Sequence, residues 1–231
     1  MNISDNIKKI NEKIDIAAQK SGRTRKDILL VGVTKTIDSH KIEQAALCGI
    51  NDFGENKAQE FVRKQPDFPE ASWHFIGHLQ TNKAKYVVEK AHLIHSVDSL
   101  RLAKEVSRLA KKKDITCKVL IQLNISAEST KFGIPPKELI PLLESVQTLD
   151  NIKVCGLMTI APINAKKEET KYLYEKCNNL FVDIKGKKYH NVCMEILSMG
   201  MTNDFETAIL CGANIVRIGS GIFGKRNYDI K

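Results

Sequence analysis

The last fifteen residues read "RIGSGIFGKRNYDIK" (217–231). Within them, Gly219-Ser220-Gly221-Ile222-Phe223-Gly224 matches G-x-G-x-x-G, the spacing of a dinucleotide-binding loop. That fingerprint requires a helix, a further strand and an acidic residue about 20 positions downstream. Only residues 225–231 follow Gly224. The match is a false positive for a nucleotide fold, and the glycines need another explanation.

The chain upstream supplies one. "NIVRIGSG" (214–221) is the last of eight apolar runs, after 27–35, 51–56, 72–78, 92–98, 117–126, 153–162 and 194–201. Amphipathic stretches separate them, at 39–50, up to 64, 81–90, 100–113, 136–149, 166–183 and 203–211. Strands alternating with helices imply a parallel sheet. Eight beats with no composition break predict a closed (β/α)8 barrel of the TIM type, with a doubly wound open sheet as the alternative. Before the first beat, Ile3, Ile7, Ile10, Ile14, Ala17 and Ala18 recur at helical spacing and predict an extra N-terminal helix over 1–22. The expected organisation is one domain over 1–231, with the barrel at 27–224.

Composition narrows the function classes. The 231 residues are 42% hydrophobic and 27% charged, with a net charge of +9. That balance suits an anionic partner. Lys111-Lys112-Lys113 and Lys166-Lys167 have no interleaved aromatics, so a single-strand nucleic-acid surface is not expected. No apolar run is long enough to span a bilayer. Six cysteines, at 48, 117, 155, 177, 193 and 211, form no C-x-x-C pair and read as reduced thiols of a cytoplasmic protein. His74/His78 and His92/His95 fall in predicted strands, where such spacing does not assemble a zinc site, and no metal is expected.

In a barrel the loops after strands 7 and 8 commonly cradle a phosphate with backbone N–H groups. Ser198-Met199-Gly200-Met201-Thr202 and Gly219-Ser220 occupy those places. Lys35 ends the first apolar strand, Leu29 to Thr34, on the face where barrels do chemistry. Burial there lowers an amine's pKa and makes it a nucleophile toward an aldehyde. Arg217, inside the apolar strand around Ile215 and Ile218, either meets a buried acid or points at a ligand. A lysine, a phosphate cradle and an in-strand arginine are what pyridoxal 5′-phosphate (PLP) requires. A class I aldolase for a phosphorylated sugar would use many of the same parts.

The stretches "LLVGVTKT" (29–36), "DFGENKAQE" (52–60), "WHFIGHLQTNK" (73–83), "LSMGMTNDFETAI" (197–209) and "VRIGSGIFGKRNY" (216–228) resemble the YggS/PROSC family of pyridoxal phosphate homeostasis proteins over essentially the whole chain. That family is similar to the N-terminal barrel of alanine racemase, PLP fold type III. The resemblance implies that Lys35 forms the Schiff base with PLP and that Asn56 lies near the ring. It places Ser198, Gly200 and Thr202 in the first phosphate loop, Gly219 and Ser220 in the second, and Arg217 at the ring nitrogen. Relatives more often carry Ala at the position of Gly221, which implies a looser turn here.

An arginine at the ring nitrogen donates and leaves that nitrogen unprotonated, which weakens the ring as an electron sink. Alanine racemase resembles this arrangement but adds a tyrosine base from a second domain, which is not expected here. Among Tyr86, Tyr172, Tyr174, Tyr189 and Tyr228, only Tyr228 is within reach of the mouth. The resemblance therefore implies a PLP carrier in vitamin B6 and amino-acid homeostasis, a monomer without established catalysis that serves PLP-dependent apoenzymes. An amino-acid racemase is the alternative.

Overall fold

The computed structural model describes residues 2–128 and 130–224. Tyr228 and the end of the 216–228 motif lie outside the described residues. Eight strands, β1 (Leu29–Val33), β2 (Asp52–Glu55), β3 (Ser72–Phe75), β4 (Leu93–Val97), β5 (Cys117–Leu123), β6 (Ile152–Thr159), β7 (Val192–Ser198) and β8 (Ile215–Ile218), close in sequence order. Each pairs with the next in parallel, and β8 pairs with β1. The closed barrel is thus observed, and the open-sheet alternative is excluded.

Among the described residues eight α-helices accompany it: α1 (Ile3–Lys20), α2 (Ser39–Leu47), α3 (Ala58–Lys64), α4 (Leu100–Lys112), α5 (Leu139–Val146), α6 (Lys167–Lys185), α7 (Phe205–Leu210) and α8 (Ser220–Phe223). Two expectations change. The stretch 81–90 is not a helix but a short 3-10 turn over Thr81–Tyr86. Its first residues gain no side-chain cap, and the adjacent Val87 and Val88 restrict helical rotamers. The other change concerns β8: no amphipathic stretch follows the eighth apolar run, yet β8 leads into the four-residue α8.

So short a helix cannot cover the barrel at the β8–β1 seam. The N-terminal helix does so instead. α1 buries Ile3, Ile7, Ile10, Ile14, Ala17 and Ala18 and packs against α2, α7 and α8. Asn6 donates to the Ile222 carbonyl at 2.9 Å, tying α1 to α8. Arg23, just beyond α1, donates to the carbonyls of Ala213 at 2.8 Å and of Ile209, and so sits as a cation at the C-terminus of α7.

Strand alternation sorts the residues. Leu30, Phe53, Trp73, Phe75, Ile94, Val119, Ile121, Leu197, Val216 and Ile218 join the large apolar layer between sheet and helices. The barrel interior has a much smaller apolar cluster of Val31, Leu93, Leu120, Cys155, Met158 and Ile215. Polar side chains take up the remaining inward positions, among them His74, His95, Gln122, Ser198 and Arg217, all buried. No helix among the described residues is long and apolar enough to cross a membrane.

Candidate functional site

A cavity of about 470 Å³ opens at the C-terminal ends of the strands. Its wall draws on nearly every strand end and the loop beyond it, including Lys35, Asn56, Ile76, Asn124, Ile160, Thr202, Arg217, Gly219 and Ser220. Six of the eight expected site residues therefore meet there: Lys35, Asn56, Thr202, Arg217, Gly219 and Ser220. Ser198 and Gly200 do not join the lining among the described residues. Ser198 is fully buried beneath it, and its hydroxyl accepts from Arg217 Nη1 at 2.5 Å. Gly200 acts through its backbone. Its φ is +94°, a Cβ there would lie 2.6 Å from Ala208 Cβ, and its carbonyl accepts from the Arg217 N–H at 3.0 Å. Ser198 thus lies beneath the cavity, and Gly200 packs closely against α7.

Lys35 sits half-buried in the turn that leaves β1. The next residue, Thr36, has φ +63°, a strained conformation for a β-branched side chain. Two hydrogen bonds hold it: the Thr36 N–H donates to Glu60 Oε2 at 2.8 Å, and the Thr36 hydroxyl donates to the Lys35 carbonyl at 2.6 Å.

Below this turn lies an ion cluster that sequence reasoning missed. Lys64, 1% exposed, donates to Glu55 Oε1 at 2.6 Å, to Glu60 Oε2 at 2.9 Å and to the Thr34 carbonyl at 2.7 Å. Glu55 also accepts from the Thr34 hydroxyl at 2.7 Å and from the Asn56 N–H at 3.2 Å. One buried lysine therefore anchors the residue before Lys35 and the residue before Asn56. Burial pushes the Glu55 carboxyl up, against the pull of Lys64 and Thr34. Burial also pushes Glu60 up, but the Thr36 N–H and Lys64 outweigh it and hold Glu60 below the usual range. The signal in the sequence was Glu60-x-x-x-Lys64 on one helix face, together with an acid inside the buried stretch "DFGE".

Asn56 is fixed from its other side by a close backbone approach. A Cβ on Gly77 would fall 2.2 Å from the Asn56 carbonyl oxygen, so only glycine fits between these loops. The Asn56 Oδ1 atom is buried and has no hydrogen-bond partner, as is Gln122 Oε1 in the same wall. Such orphaned acceptors are rare in a folded protein and fit a site that receives a polar ligand.

The loops after β7 and β8 are stitched together. Both the Ser220 hydroxyl and the Gly221 N–H meet Thr202 Oγ1 at 3.2 Å. A Cβ on Gly221 would approach Ile218 Cγ2 at 2.9 Å and Thr202 Cγ2 at 3.1 Å. The turn is tight, contrary to the looser turn expected. Two hydroxyls and the backbone of Gly219-Ser220-Gly221 at one rim suit an anion of phosphate size. Arg217 is 3% exposed and also donates to the Thr159 carbonyl at 2.9 Å. Burial lowers its pKa, while the fields of Tyr174 and Asp204 support its charge.

The histidines do not gather as sequence spacing grouped them. His78 stacks on Phe132 at 3.9 Å near the mouth and faces Asp98 at 3.4 Å. His74 pairs across strands with His95, not with His78. Among the described residues no group of three candidate ligands could hold a metal. All six cysteines are free, and burial raises Cys117 and Cys177 to about 12, so neither is a reactive thiolate.

Residues 6–227 match the family model "Alanine racemase, N-terminal domain", which defines the class as a barrel of that type. A pyridoxal phosphate homeostasis protein of Aquifex aeolicus is 40% identical over 230 residues, covering 99% of this chain and 100% of the relative. A crystal structure of an unknown protein from Bifidobacterium adolescentis superposes with a TM-score of 0.90 at 33% identity, covering 96% of this chain and 94% of its own. The structure of PipY from Synechococcus elongatus with PLP bound superposes with a TM-score of 0.84 at 29% identity, covering 96% and 100%. The chain belongs to the family of pyridoxal phosphate homeostasis proteins.

Proposed function

We propose that this chain binds PLP in the mouth cavity and holds it for intracellular vitamin B6 and amino-acid homeostasis. The observation that carries the reading is the convergence of Lys35, Asn56, Arg217 and the Thr202 and Gly219–Ser220 rims on one cavity. PLP supplies an aldehyde that condenses with an amine and a ring that withdraws electrons. Lys35 provides that amine, held in place by the strained Thr36 turn and by the Lys64 cluster beneath it. Thr202, Ser220 and the backbone around Gly219 hold the phosphate, and Asn56 offers its unsatisfied carbonyl to a ring substituent. Arg217 donates to the ring nitrogen, with Ser198 and Gly200 setting its pose from below. In this reading the chain is one domain and works in the cytoplasm as a monomer that passes PLP to apoenzymes.

The carrier reading is favoured over a racemase by the site's lining. None of Tyr86, Tyr172, Tyr174 or Tyr189 lines the cavity, so no described tyrosine offers a second base. An absorbance titration of the purified chain with PLP tests the reading. Saturable uptake at one site per chain supports it, and no uptake overturns it. Incubation with amino acids in deuterated water, read by mass spectrometry, tests the alternative: α-deuterium that depends on Lys35 would establish catalysis.

A further inference from the structure

A line of buried polar groups crosses the barrel interior from its opposite end. Arg217 Nη1 donates to Ser198 Oγ at 2.5 Å. Ser198 Oγ lies 2.9 Å from His95 Nδ1, His95 Nε2 lies 2.9 Å from His74 Nδ1, and His74 Nε2 lies 3.0 Å from Asp52 Oδ1. Asp52 begins β2 at the N-terminal pole, and its side chain is 18% exposed. Ser198, His95 and His74 are all 0% exposed.

The donor inventory allows one neutral assignment. A guanidinium only donates and a carboxylate only accepts. Ser198 therefore takes the Arg217 proton bond on its lone pair and gives its own hydrogen to His95 Nδ1. His95 then carries its proton on Nε2 and gives it to His74 Nδ1. His74 in turn carries its proton on Nε2 and gives it to Asp52. Every bond runs the same way, so each strengthens the next, and the Asp52 charge makes Ser198 a better acceptor for Arg217. Burial above all holds His95 well below the usual imidazole range, which agrees with a neutral ring.

A barrel interior is ordinarily filled by branched apolar side chains, and burying four linked polar groups has no packing advantage over them. Resting on the PLP reading above, we propose that His95 and His74 are positioning residues: through Ser198 they orient and polarise Arg217, so that a site outside the cavity, Asp52, governs how firmly the ring nitrogen of the cofactor is held.

Two measurements on the full chain test this. The first is a two-bond ¹H–¹⁵N correlation spectrum of the imidazoles in cofactor-free protein, which needs no variant. His95 and His74 should both be neutral, protonated on Nε2 and unprotonated on Nδ1. An Nδ1–H tautomer or an imidazolium at either residue overturns the directed chain. The second is a thermodynamic cycle read as PLP affinity, with the melting temperature recorded beside it. His95→Leu should weaken PLP binding by about tenfold, the scale of one charge-assisted hydrogen bond. In an Arg217→Met background the same change should alter affinity by less than about twofold, because its effect passes through Arg217. A His95→Leu chain with a lower melting temperature but unchanged affinity overturns the proposal, as does an equal loss in both backgrounds. A wild-type chain that takes up no PLP overturns the functional reading and this proposal together. Normal uptake with an effect independent of Arg217 overturns this proposal alone.

Discussion

On β3, Trp73 and Phe75 point outward and His74, between them, points inward. Trp73 meets Phe53 and Phe61 at ring distances of 5.7 and 6.0 Å, in the apolar layer beneath the helices. His74 meets His95 and Asp52 inside the barrel. β8 repeats the contrast, with Val216 and Ile218 outward and Arg217 inward. The outer face of the sheet is governed by area removed from water, which is non-directional and tolerant of repacking. The inner face is governed by hydrogen-bond geometry, where a missing partner leaves a buried polar group unsatisfied. Stability should therefore be sensitive to the outer face, and cofactor binding to the inner one.

The largest effect should come from the buried Lys64–Glu55 pair beneath the Lys35 turn. Lys64→Met leaves Glu55 buried without its cation and should destabilise the chain by about 3–5 kcal/mol in urea unfolding. Adding Glu55→Gln should recover a large part of that loss, because the uncompensated charge is removed. Trp73→Ala, on the outer face, should cost a similar ~3–5 kcal/mol by cavity formation. PLP affinity of the folded Trp73→Ala protein should remain unchanged, and a large loss would blur the division between faces.

Gly77→Ala sharpens the comparison from the other side. A methyl group 2.2 Å from the Asn56 carbonyl must displace the Asn56 loop. The expected outcome is a loss of PLP affinity larger than that of His95→Leu, measured by the same titration.

A smaller effect concerns pH. The folded-state pKa of His95 lies below the unfolded value of about 6.5. Below that pH the unfolded chain binds a proton that the folded chain refuses. Stability should thus be intact above about pH 6.5 and fall as pH drops below it, by about 1 kcal/mol per pH unit for this group. His95→Asn should flatten the slope of unfolding free energy between pH 6.5 and 5 by about one proton. Smallest of all, Leu47→Ser, at a side chain 83% exposed, should change stability by less than about 0.5 kcal/mol.

The strands were legible because buried parallel strands read as Val, Ile and Leu runs, and the turns between them carry polar residues. Lys35, Asn56 and Arg217 were legible for the complementary reason, as polar side chains in or at the ends of such runs. Ser198 is the harder case: strand position does not reveal which group a hydroxyl meets, and here it accepts from Arg217. The Glu55–Lys64 pair joins a strand to a helix, and no local spacing encodes which buried acid a helical lysine will reach. The His74–His95 contact is hidden for a similar reason: neighbours across strands are set by register, and periodicity along one strand is silent about it. Its trace was the polar residue in "WHF", between Trp73 and Phe75, and the histidine in "LIHSV", next to the outward Ile94.

The most direct test of the account is to incubate the purified chain with PLP, reduce it with borohydride and map the modified peptide by mass spectrometry. One pyridoxyl group per chain is expected, on the peptide carrying Lys35. Label spread over surface lysines, or none at all, would contradict it.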